Sequence, residues 1–282
     1  MPSIQQLKQR IKSVQSTSQL TKAMQAVAAL RFRRYQTLSK SAQSYFDQIK
    51  DLNSLALASF SNLRDNKFFG ESKPGKTLMV IVSPTRGFCG GLHRLVTLKA
   101  YKYLEDLGLK TTDSDQVNFI TLNKPGYKQA SRLGGEILAA FNELSKSPDS
   151  LEMLAVSETI FRFFKDPKEN FSTVYFSFVD EAGSVQVSQL LPFVGIEESQ
   201  NPTVIDMDEE KFLEELVHQY LHAQLFAALT STQLSEERAR MVAMNQATDN
   251  AKKLTATLRL TYFRARQTKI TQEMNEISSN LV

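Results

Sequence analysis

Residues 203–282 read TVIDMDEEKFLEELVHQYLHAQLFAALTSTQLSEERARMVAMNQATDNAKKLTATLRLTYFRARQTKITQEMNEISSNLV and contain neither glycine nor proline. The same holds for residues 3–69 at the other end of the chain. Because glycine and proline cost about 1 and 3 kcal/mol in a helix interior, tracts without them favour uninterrupted helices. The sequence therefore predicts a long helix at each end, around a compact middle that holds all 11 glycines.

Apolar residues recur in both tracts at alternating steps of three and four, the spacing of a coiled-coil seam. The first seam runs through Ile4, Leu7, Ile11 and Val14, shifts register through Leu20, Met24 and Val27, and resumes at Tyr35, Leu38, Ala42, Tyr45, Ile49, Leu52 and Ala56. The last tract carries Met241, Met244, Ala251, Leu258, Tyr262 and Ala265, with Thr248 and Thr255 interspersed. Since a long helix must bury such a seam, we predict that the two helices pair as a long antiparallel coiled coil.

The middle of the chain alternates strand and helix patterns. Strands are predicted at 77–83, 117–122, 173–179 and 184–191, and helices at 92–107, from 123 towards 131, and at 150–165. The last two strands flank the turn 180–183 and are expected to form a hairpin. This alternation predicts an α/β fold with a central Rossmann-like layer and an antiparallel edge. The expected domains are an N-terminal helix at 1–69, the Rossmann-like domain at 70–202 and a C-terminal helix at 203–282.

The composition is that of an ordinary globular protein, with 41% hydrophobic and 23% charged residues. No run of eighteen apolar residues occurs, and residues 1–10 lack the apolar core of a signal peptide. The expected origin is therefore the cytosol. A single cysteine excludes a disulfide or a multi-cysteine zinc site within this chain.

The net charge of +4 is unevenly distributed. Residues 1–46 contain no acidic residue but include Lys8, Arg10, Lys12, Lys22, Arg31, Arg33, Arg34 and Lys40. A second window without acids, between Asp249 and Glu273, holds Lys252, Lys253, Arg259, Arg264, Arg266 and Lys269. In an antiparallel pair the two windows would converge, which favours an acidic partner: protein carboxylates, nucleic acid or anionic lipid.

Three patterns suggest chemistry, but each lacks a group that the chemistry needs. The glycine-rich loop at 86–91 matches neither of the phosphate-binding motifs GxGxxG and GxxxxGK[ST]. It is better explained as a tight turn between a strand and a helix. Cys89 and His93 have no third group to orient them, so Cys89 is expected to be a buried structural cysteine. His218 and His222 lack both the glutamate of HExxH and a third ligand. We therefore predict no catalytic, cofactor-binding or metal-binding residues.

Several motifs closely resemble the gamma subunit of F-type ATP synthases. At the N-terminus these are LKQRIKSV at 7–14, LTKAM at 20–24 and VAA at 27–29. The C-terminal motifs are SEERARMVAM at 235–244, ATDNA at 247–251, YFRARQ at 262–267 and ITQE at 270–273. The loop RGFCGGL at 86–92 resembles the family's RGLCGGL turn. Together with the domain order, the resemblance covers essentially the whole chain.

The resemblance implies a rotating central stalk that is not itself catalytic. One copy would insert its coiled coil into a hexamer of three alpha and three beta subunits, while the Rossmann-like domain stands on a ring of c subunits beside epsilon. Rotation would couple proton or sodium flow to ATP synthesis or hydrolysis at the beta subunits. The implied location is the cytoplasmic face of a bacterial cell membrane, without membrane insertion, and no cofactor or nucleic acid is implied.

The resemblance also implies which residues act. Met24, Arg240, Arg266, Gln267 and Thr271 match positions that the family uses for contacts with the catalytic subunits or within the shaft. Ile270, Met274, Ile277 and Leu281 form the expected apolar tip. The chain departs from the family pattern at Pro84-Thr85, where Ser-Asp is usual, at His93, and at Ser278-Ser-Asn280. Two rival functions remain open: a basic coiled coil that binds nucleic acid, and a cysteine enzyme built around Cys89.

Overall fold

The computed structural model describes residues 3–57, 66–69, 74–144, 150–193 and 209–279. Helix α1 spans Ile4–Leu57 and helix α5 spans Glu209–Ser279, so both predicted long helices are confirmed. A reciprocal cap begins α1, because the Gln6 amide donates to Ser3 Oγ (3.1 Å) and the Ser3 amide donates to Gln6 Oε1 (2.9 Å). Residues 66–69 form a turn, although they belong to the tract without glycine or proline.

The chain divides into two compact units. The first, here called the two-helix unit, comprises residues 1–30 and 240–282; the second, the α/β unit, comprises residues 31–239. Both long helices therefore contribute to both units. The domain boundaries expected after residues 69 and 202 stay a prediction, since residues 70–73 and 194–208 lie outside the described ranges.

A five-stranded sheet forms the centre of the α/β unit, with the order β3-β2-β1-β4-β5. Its strands are β1 (Lys76–Val82), β2 (Val117–Leu122), β3 (Ile137–Phe141), β4 (Phe171–Val179) and β5 (Val185–Leu191). Only β5 runs antiparallel, paired with β4. The predicted parallel layer with an antiparallel edge is thus confirmed, whereas β3, which contains two alanines and is only half-buried, was not predicted.

Helices cover both faces of the sheet, as a largely parallel sheet requires. Alternate residues of β1 enter two cores: Met79 and Ile81 pack with α2 (Leu92–Asp106) and α3 (Lys124–Arg132). Leu78, Val80 and Val82 pack on the other face with α4 (Ser150–Lys165) and with the segment of α5 from Val217 to Leu229. The first half of α5 is therefore part of the domain core.

The two long helices pack antiparallel. In the α/β unit, Phe46 of α1 packs edge-on against Tyr220 of α5, and the side chain of Asn53, farther along α1, donates to the Leu216 carbonyl. In the two-helix unit, Thr21 contacts Thr248 and Gln25 contacts Asn245. Residue numbers rise along one helix as they fall along the other, so the predicted antiparallel pairing is confirmed.

The first column of the α1 seam is confirmed up to Val14 and from Tyr35 on, but the register shift predicted between these residues is absent. The buried column runs in steps of seven, with half-buried Val14 included: Leu7, Val14, Thr21, Ala28, Tyr35, Ala42 and Ile49. The predicted shift through Leu20 and Val27 is wrong, because these side chains are 61% and 47% exposed. A threonine and an alanine continue the column, and a pattern search based on large apolar residues misses both.

The second column of the α1 seam is also displaced by one residue. Tyr45 and Leu52, predicted to be buried, are 41% and 57% exposed. Ser39, Phe46 and Asn53 occupy the column instead. Ser39 Oγ donates to Glu181 Oε1 at 2.8 Å, and the Asn53 side-chain amide donates to the Leu216 carbonyl at 3.4 Å. These two polar side chains can be buried because each has a hydrogen-bond partner.

Candidate functional site

The two-helix unit contains every residue predicted to contact a catalytic subunit. Its seam on α5 is the predicted one, with Met244, Thr248, Ala251 and Leu258 buried and Thr255, Tyr262 and Ala265 half-buried. Most of these side chains are small, which lets the two helix backbones approach closely. The seam leaves the remaining faces of both helices exposed.

A polar layer interrupts this seam. Thr21 Oγ1 and Thr248 Oγ1 are hydrogen-bonded at 2.7 Å and buried, and the Gln25 amide donates to Asn245 Oδ1 at 3.2 Å. Each hydroxyl also contacts a carbonyl of its own helix, Thr21 that of Ser18 at 3.1 Å and Thr248 that of Met244 at 2.8 Å. The two hydroxyls meet in only one axial alignment of the helices, so their bond favours that register. Sequence analysis placed Thr248 in the seam but did not identify its partner.

The two-helix unit is strongly basic. It holds eleven Lys or Arg and three Asp or Glu residues, a net charge of +8. Ten of the eleven are exposed: Lys8, Arg10, Lys12, Lys22, Lys252, Lys253, Arg259, Arg264, Arg266 and Lys269. Two are neutralised locally, Lys252 by Asp249 at 3.1 Å and Lys269 by Glu273 at 3.5 Å. The remaining field attracts an acidic surface.

The structure brings together only part of the predicted coupling set. Gln267 and Thr271 lie one turn apart, with Thr271 Oγ1 donating to the Gln267 carbonyl at 3.0 Å, and both line a shallow surface groove with Arg264. Arg266 is exposed on the same stretch, and Met24 is half-buried in α1. Arg240 is only 5% exposed and lies about 40 Å from Arg266 along the helix, at 1.5 Å per residue.

An apolar stripe follows the exposed face of α5 towards its end. Ile270, Met274 and Ile277 are 45%, 66% and 62% exposed, whereas Leu281 lies outside the described residues. Leu260 and Phe263 extend the stripe and are also exposed. Sequence analysis missed these two residues, although steps of three and four through Gln267 connect them to Ile270.

A polar junction in the α/β unit was also missed. The buried carboxylate of Glu236 accepts hydrogen bonds from the amide of Thr85 (2.7 Å) and the amide of Arg86 (3.1 Å). Neighbouring Glu237 forms an ion pair with Arg31 of α1 at 3.7 Å. Burial, and then the charge of Glu237, raises the pKa of nearby Tyr35. The two adjacent glutamates within an otherwise apolar and small-residue stretch are the sequence signal for this junction.

The loop after β1 is a tight turn, as predicted. Phe88, Gly90 and Gly91 have positive φ angles of 62°, 65° and 79°, and Gly91 directly precedes α2. Cys89 is buried, as expected of a structural cysteine, and its thiol donates to the Arg86 carbonyl at 3.4 Å. Its sulfur is 4.0 Å from His93 Nδ1.

The two histidines of α5 have separate partners. His218 Nδ1 is 3.5 Å from Glu158 Oε2 and its ring packs on Phe161, whereas His222 stacks on Phe226. Among the described residues, no three His, Cys, Asp or Glu side chains lie close enough to hold a metal ion. Within the same residues, no helix combines the length and the apolar character needed to span a membrane.

Comparisons with known proteins agree along the whole chain. A sequence model of the family described as ATP synthase matches residues 3–281. An ATP synthase gamma chain of Exiguobacterium sp. is 30% identical over 98% of this chain and 97% of its own length. One from Rickettsia prowazekii is 29% identical over 98% of both chains.

Solved structures agree with this fold. A chain in the OSCP/F1/c-ring structure of Euglena gracilis mitochondrial ATP synthase has a TM-score of 0.70, with 14% identity over 99% of this chain and 93% of that one. A chain in the central stalk and c-ring structure of Tetrahymena thermophila mitochondrial ATP synthase has a TM-score of 0.60, with 16% identity over 81% of this chain and 99% of that one.

Proposed function

The chain belongs to the ATP synthase gamma chain family, and on this premise we propose that it is the rotating central shaft of an ATP synthase. One observation carries the proposal: α5 is one helix from Glu209 to Ser279, buried in a domain core near its start and exposed along its last turns. Without glycine or proline, the helix lacks the positions at which helices usually kink. Transmission of torque requires such an uninterrupted element.

The two units would then have different partners. We propose that the two-helix unit lies inside a hexamer of three alpha and three beta subunits, and that the α/β unit binds epsilon and a ring of c subunits. Proton or sodium flow through the membrane sector would turn the single shaft, and ATP would be made or hydrolysed on the beta subunits. The structural neighbours support this assignment, since they are chains of a rotor and of a central stalk with its c-ring.

The exposed surface of the two-helix unit fits such a sleeve. Its net charge of +8 would face acidic surfaces of the beta subunits, and the apolar stripe ending at Ile277 would turn against apolar walls. We propose that Arg266, Gln267 and Thr271 contact the catalytic subunits, and that Met24 and Arg240 set the packing within the shaft. Within the α/β unit, we propose that the Rossmann-like domain proper spans residues 70–202, and that the helical segments flanking it continue into the shaft.

The chain itself would perform no bond chemistry. Its role would be mechanical, exerted as a peripheral component at the cytoplasmic face of a bacterial membrane. Neither a cofactor nor a nucleic acid is needed for that role. The predicted absence of a catalytic group in the chain is tested by assaying the purified chain alone for ATP hydrolysis, where we expect no activity.

Co-purification and truncation test the proposal. A tagged chain should retain alpha and beta subunits in threefold molar excess, whereas recovery as a lone homodimer would contradict it. A chain ending at Leu260, which keeps the α/β unit but loses the apolar stripe beyond that residue, should reduce ATP-driven ion pumping in membrane vesicles to background. A chain ending at Ser279 serves as the matched control and should retain pumping.

The basic charge also makes a nucleic-acid complex a rival function. Binding to phosphates weakens by orders of magnitude between low and moderate salt, because condensed counterions are released. A salt-sensitive complex with DNA or RNA, without retention of ATP synthase subunits, would favour that rival. For the cysteine-enzyme rival, Cys89→Ala is decisive, since full activity of the assembled complex would exclude it.

A further inference from the structure

Glu236 joins α5 to the central strand of the sheet. Its Oε2 atom accepts from the Thr85 amide at 2.7 Å and from Thr85 Oγ1 at 3.0 Å, while Oε1 accepts from the Arg86 amide at 3.1 Å. The carboxylate is fully inside the protein, at 1% exposure for the residue. Hydrogen bonds from successive amides to an ionised carboxylate are short and directional, and a buried one is costly to break.

The loop held by Glu236 is rigidly continuous with the core. Thr85 is the third residue after β1, and β1 is paired with β2 on one side and β4 on the other. Ser83 is locked by the Asn123 side chain, whose amide donates to the Ser83 carbonyl at 2.8 Å. The loop is therefore anchored at the end of the central strand, next to the segment that follows β2.

The same segment of α5 also holds the end of β4. Thr232 Oγ1 accepts from the Val179 amide at 3.0 Å, and Ser231 Oγ donates to the Val179 carbonyl at 2.9 Å. Ser235 Oγ donates to the Asp180 carbonyl. Because β1 and β4 are parallel neighbours, their ends lie at the same edge of the sheet. Polar side chains from Ser231 to Glu236 thus attach α5 to that edge at two adjacent strands.

The other attachment of α5 to the sheet is apolar. Val217, Leu221, Leu225 and Leu229 pack into the core beneath the sheet. Apolar burial resists separation of the helix from the sheet but is non-directional. Directional hydrogen bonds oppose rotation of α5 about its axis, or sliding along it, more strongly than apolar packing does. At this edge the Glu236 carboxylate bonds to the loop after β1, and the Arg238 side chain donates to the Glu181 carbonyl in the turn after β4.

We propose that Glu236 is a positioning residue for rotary coupling: its carboxylate transmits torque between α5 and the sheet through the Thr85–Arg86 loop. This inference rests on the proposed function and deepens it. It assigns the transfer of force within the chain to one carboxylate, its two backbone donors and one hydroxyl. Loss of this link is expected to let ATP hydrolysis proceed with less ion transport for each ATP consumed.

The test compares ion pumping with ATP hydrolysis in the assembled complex in vesicles. Glu236→Gln should lower the ratio of pumping to hydrolysis by about threefold, since an amide offers one acceptor oxygen where the carboxylate offers two and loses the charge. Thr85→Val, which keeps both backbone donors, should lower it by about 1.5-fold because one of the donors is lost. Thr85→Ser retains the hydroxyl and should restore the wild-type ratio.

Glu215→Gln is the matched control, since it removes the same charge from an exposed position of α5 and should leave the ratio unchanged. Hydrogen exchange on the isolated full-length chain reports the bonds themselves. Glu236→Gln should accelerate exchange of the Thr85 and Arg86 amides by about tenfold, and leave the β1 amides unaffected.

The exchange rates report the bonds of Glu236, and the pumping ratio reports their role in coupling. An unchanged ratio in Glu236→Gln with accelerated exchange would mean that the bonds are structural only, and would overturn the torque role. If the Thr85 and Arg86 amides of Glu236→Gln exchanged at the wild-type rate, the hydrogen bonds to Glu236 would be refuted, and the torque role with them. If Glu236→Gln does not assemble, Thr85→Val decides by the same ratio. A wild-type chain that supports no pumping would instead refute the proposed function, irrespective of the exchange result.

Discussion

Helix α5 contains two segments that are alike in backbone and opposite in surroundings. From Ala227 to Glu237 all eleven residues are buried, so the helix is enclosed on every side. From Arg266 to Ile277 all twelve residues are exposed in the isolated chain. The same helical geometry is thus supported by tertiary packing in one segment and by local interactions in the other.

The local interactions of the exposed segment are visible in its side chains. Thr268 and Thr271 each donate to the carbonyl four residues earlier at 3.0 Å, which satisfies the hydroxyls without strengthening the helix, and Lys269 pairs with Glu273. Such contacts contribute only about 0.2–0.5 kcal/mol per ion pair. The buried segment therefore contributes to folding of the chain through its packing, whereas the apolar stripe of the exposed segment is available for a partner.

The largest effect is expected from a matched pair of leucines on α5. Leu229 is fully buried in the core beneath the sheet, whereas Leu260 is 62% exposed. Leu229→Ala should lower the free energy of unfolding by about 2–5 kcal/mol, because it removes buried methyl groups and leaves a cavity. Leu260→Ala should change it by less than about 0.5 kcal/mol. Urea unfolding followed by circular dichroism measures both, and equal losses would contradict the comparison.

The second effect is a loss of stability at alkaline pH in the α/β unit. Burial raises the pKa of Tyr101 from 10.0 to about 12, and burial also raises the pKa of Tyr220 on α5. The unfolded chain therefore releases these protons first, and stability, intact below the unfolded pKa, declines as pH rises from 10.0 to about 12. For Tyr101 alone the full loss of stability is about 2–3 kcal/mol.

Urea unfolding midpoints of the wild type and of Tyr101→Phe, compared at rising alkaline pH, measure this effect. The variant lacks the titrating group, so its stability should fall less steeply between the two pKa values. Identical slopes for the two proteins would refute the assignment to Tyr101. Because Tyr101 lies in the core formed by α2 and α3, the effect belongs to the α/β unit.

Much of this fold was predictable from local sequence. The absence of glycine and proline predicted both long helices, and continuous apolar runs predicted β1, β2 and the β4–β5 hairpin. The register of α1 was not predictable in the same way. Leu20 and Tyr45 are larger and more apolar than Thr21 and Ser39, yet Thr21 and Ser39 are the buried residues. Their hydrogen-bond partners, Thr248 and Glu181, are distant in sequence.

Only those features of the candidate site that lie within one continuous stretch of sequence were predictable. Exposed basic residues and the end of the apolar stripe follow from windows of sequence, and the structure places them on the surface of the two-helix unit. The junction at Glu236 joins residues about 150 positions apart. No local spacing relates Glu236 to Thr85, so only the folded sheet edge reveals their contact.

The third prediction concerns the polar layer of the two-helix unit. Thr248→Val should lower stability by about 1 kcal/mol, since it removes the bond to Thr21 in a buried seam. Thr21→Val combined with Thr248→Val should cost less than the sum of the single changes, because either change alone already removes the bond that the two hydroxyls share. A double-mutant cycle from thermal unfolding measures the coupling, and strictly additive losses would argue against a direct bond.

The smallest effect on the isolated chain is expected at the apolar end of α5. Ile277→Gln should leave the unfolding free energy within about 0.5 kcal/mol of the wild type, because the side chain is already exposed. In the complex, the same change should weaken binding to the alpha and beta subunits by about tenfold, as expected for an isoleucine that becomes buried on assembly. Asn275→Gln, a polar exchange in the same turn, is the control and should alter neither quantity. Unchanged binding of Ile277→Gln would mean that this face of the helix stays exposed in the complex, whereas a loss confined to binding would separate the partner-stabilised segment from the self-stabilised one.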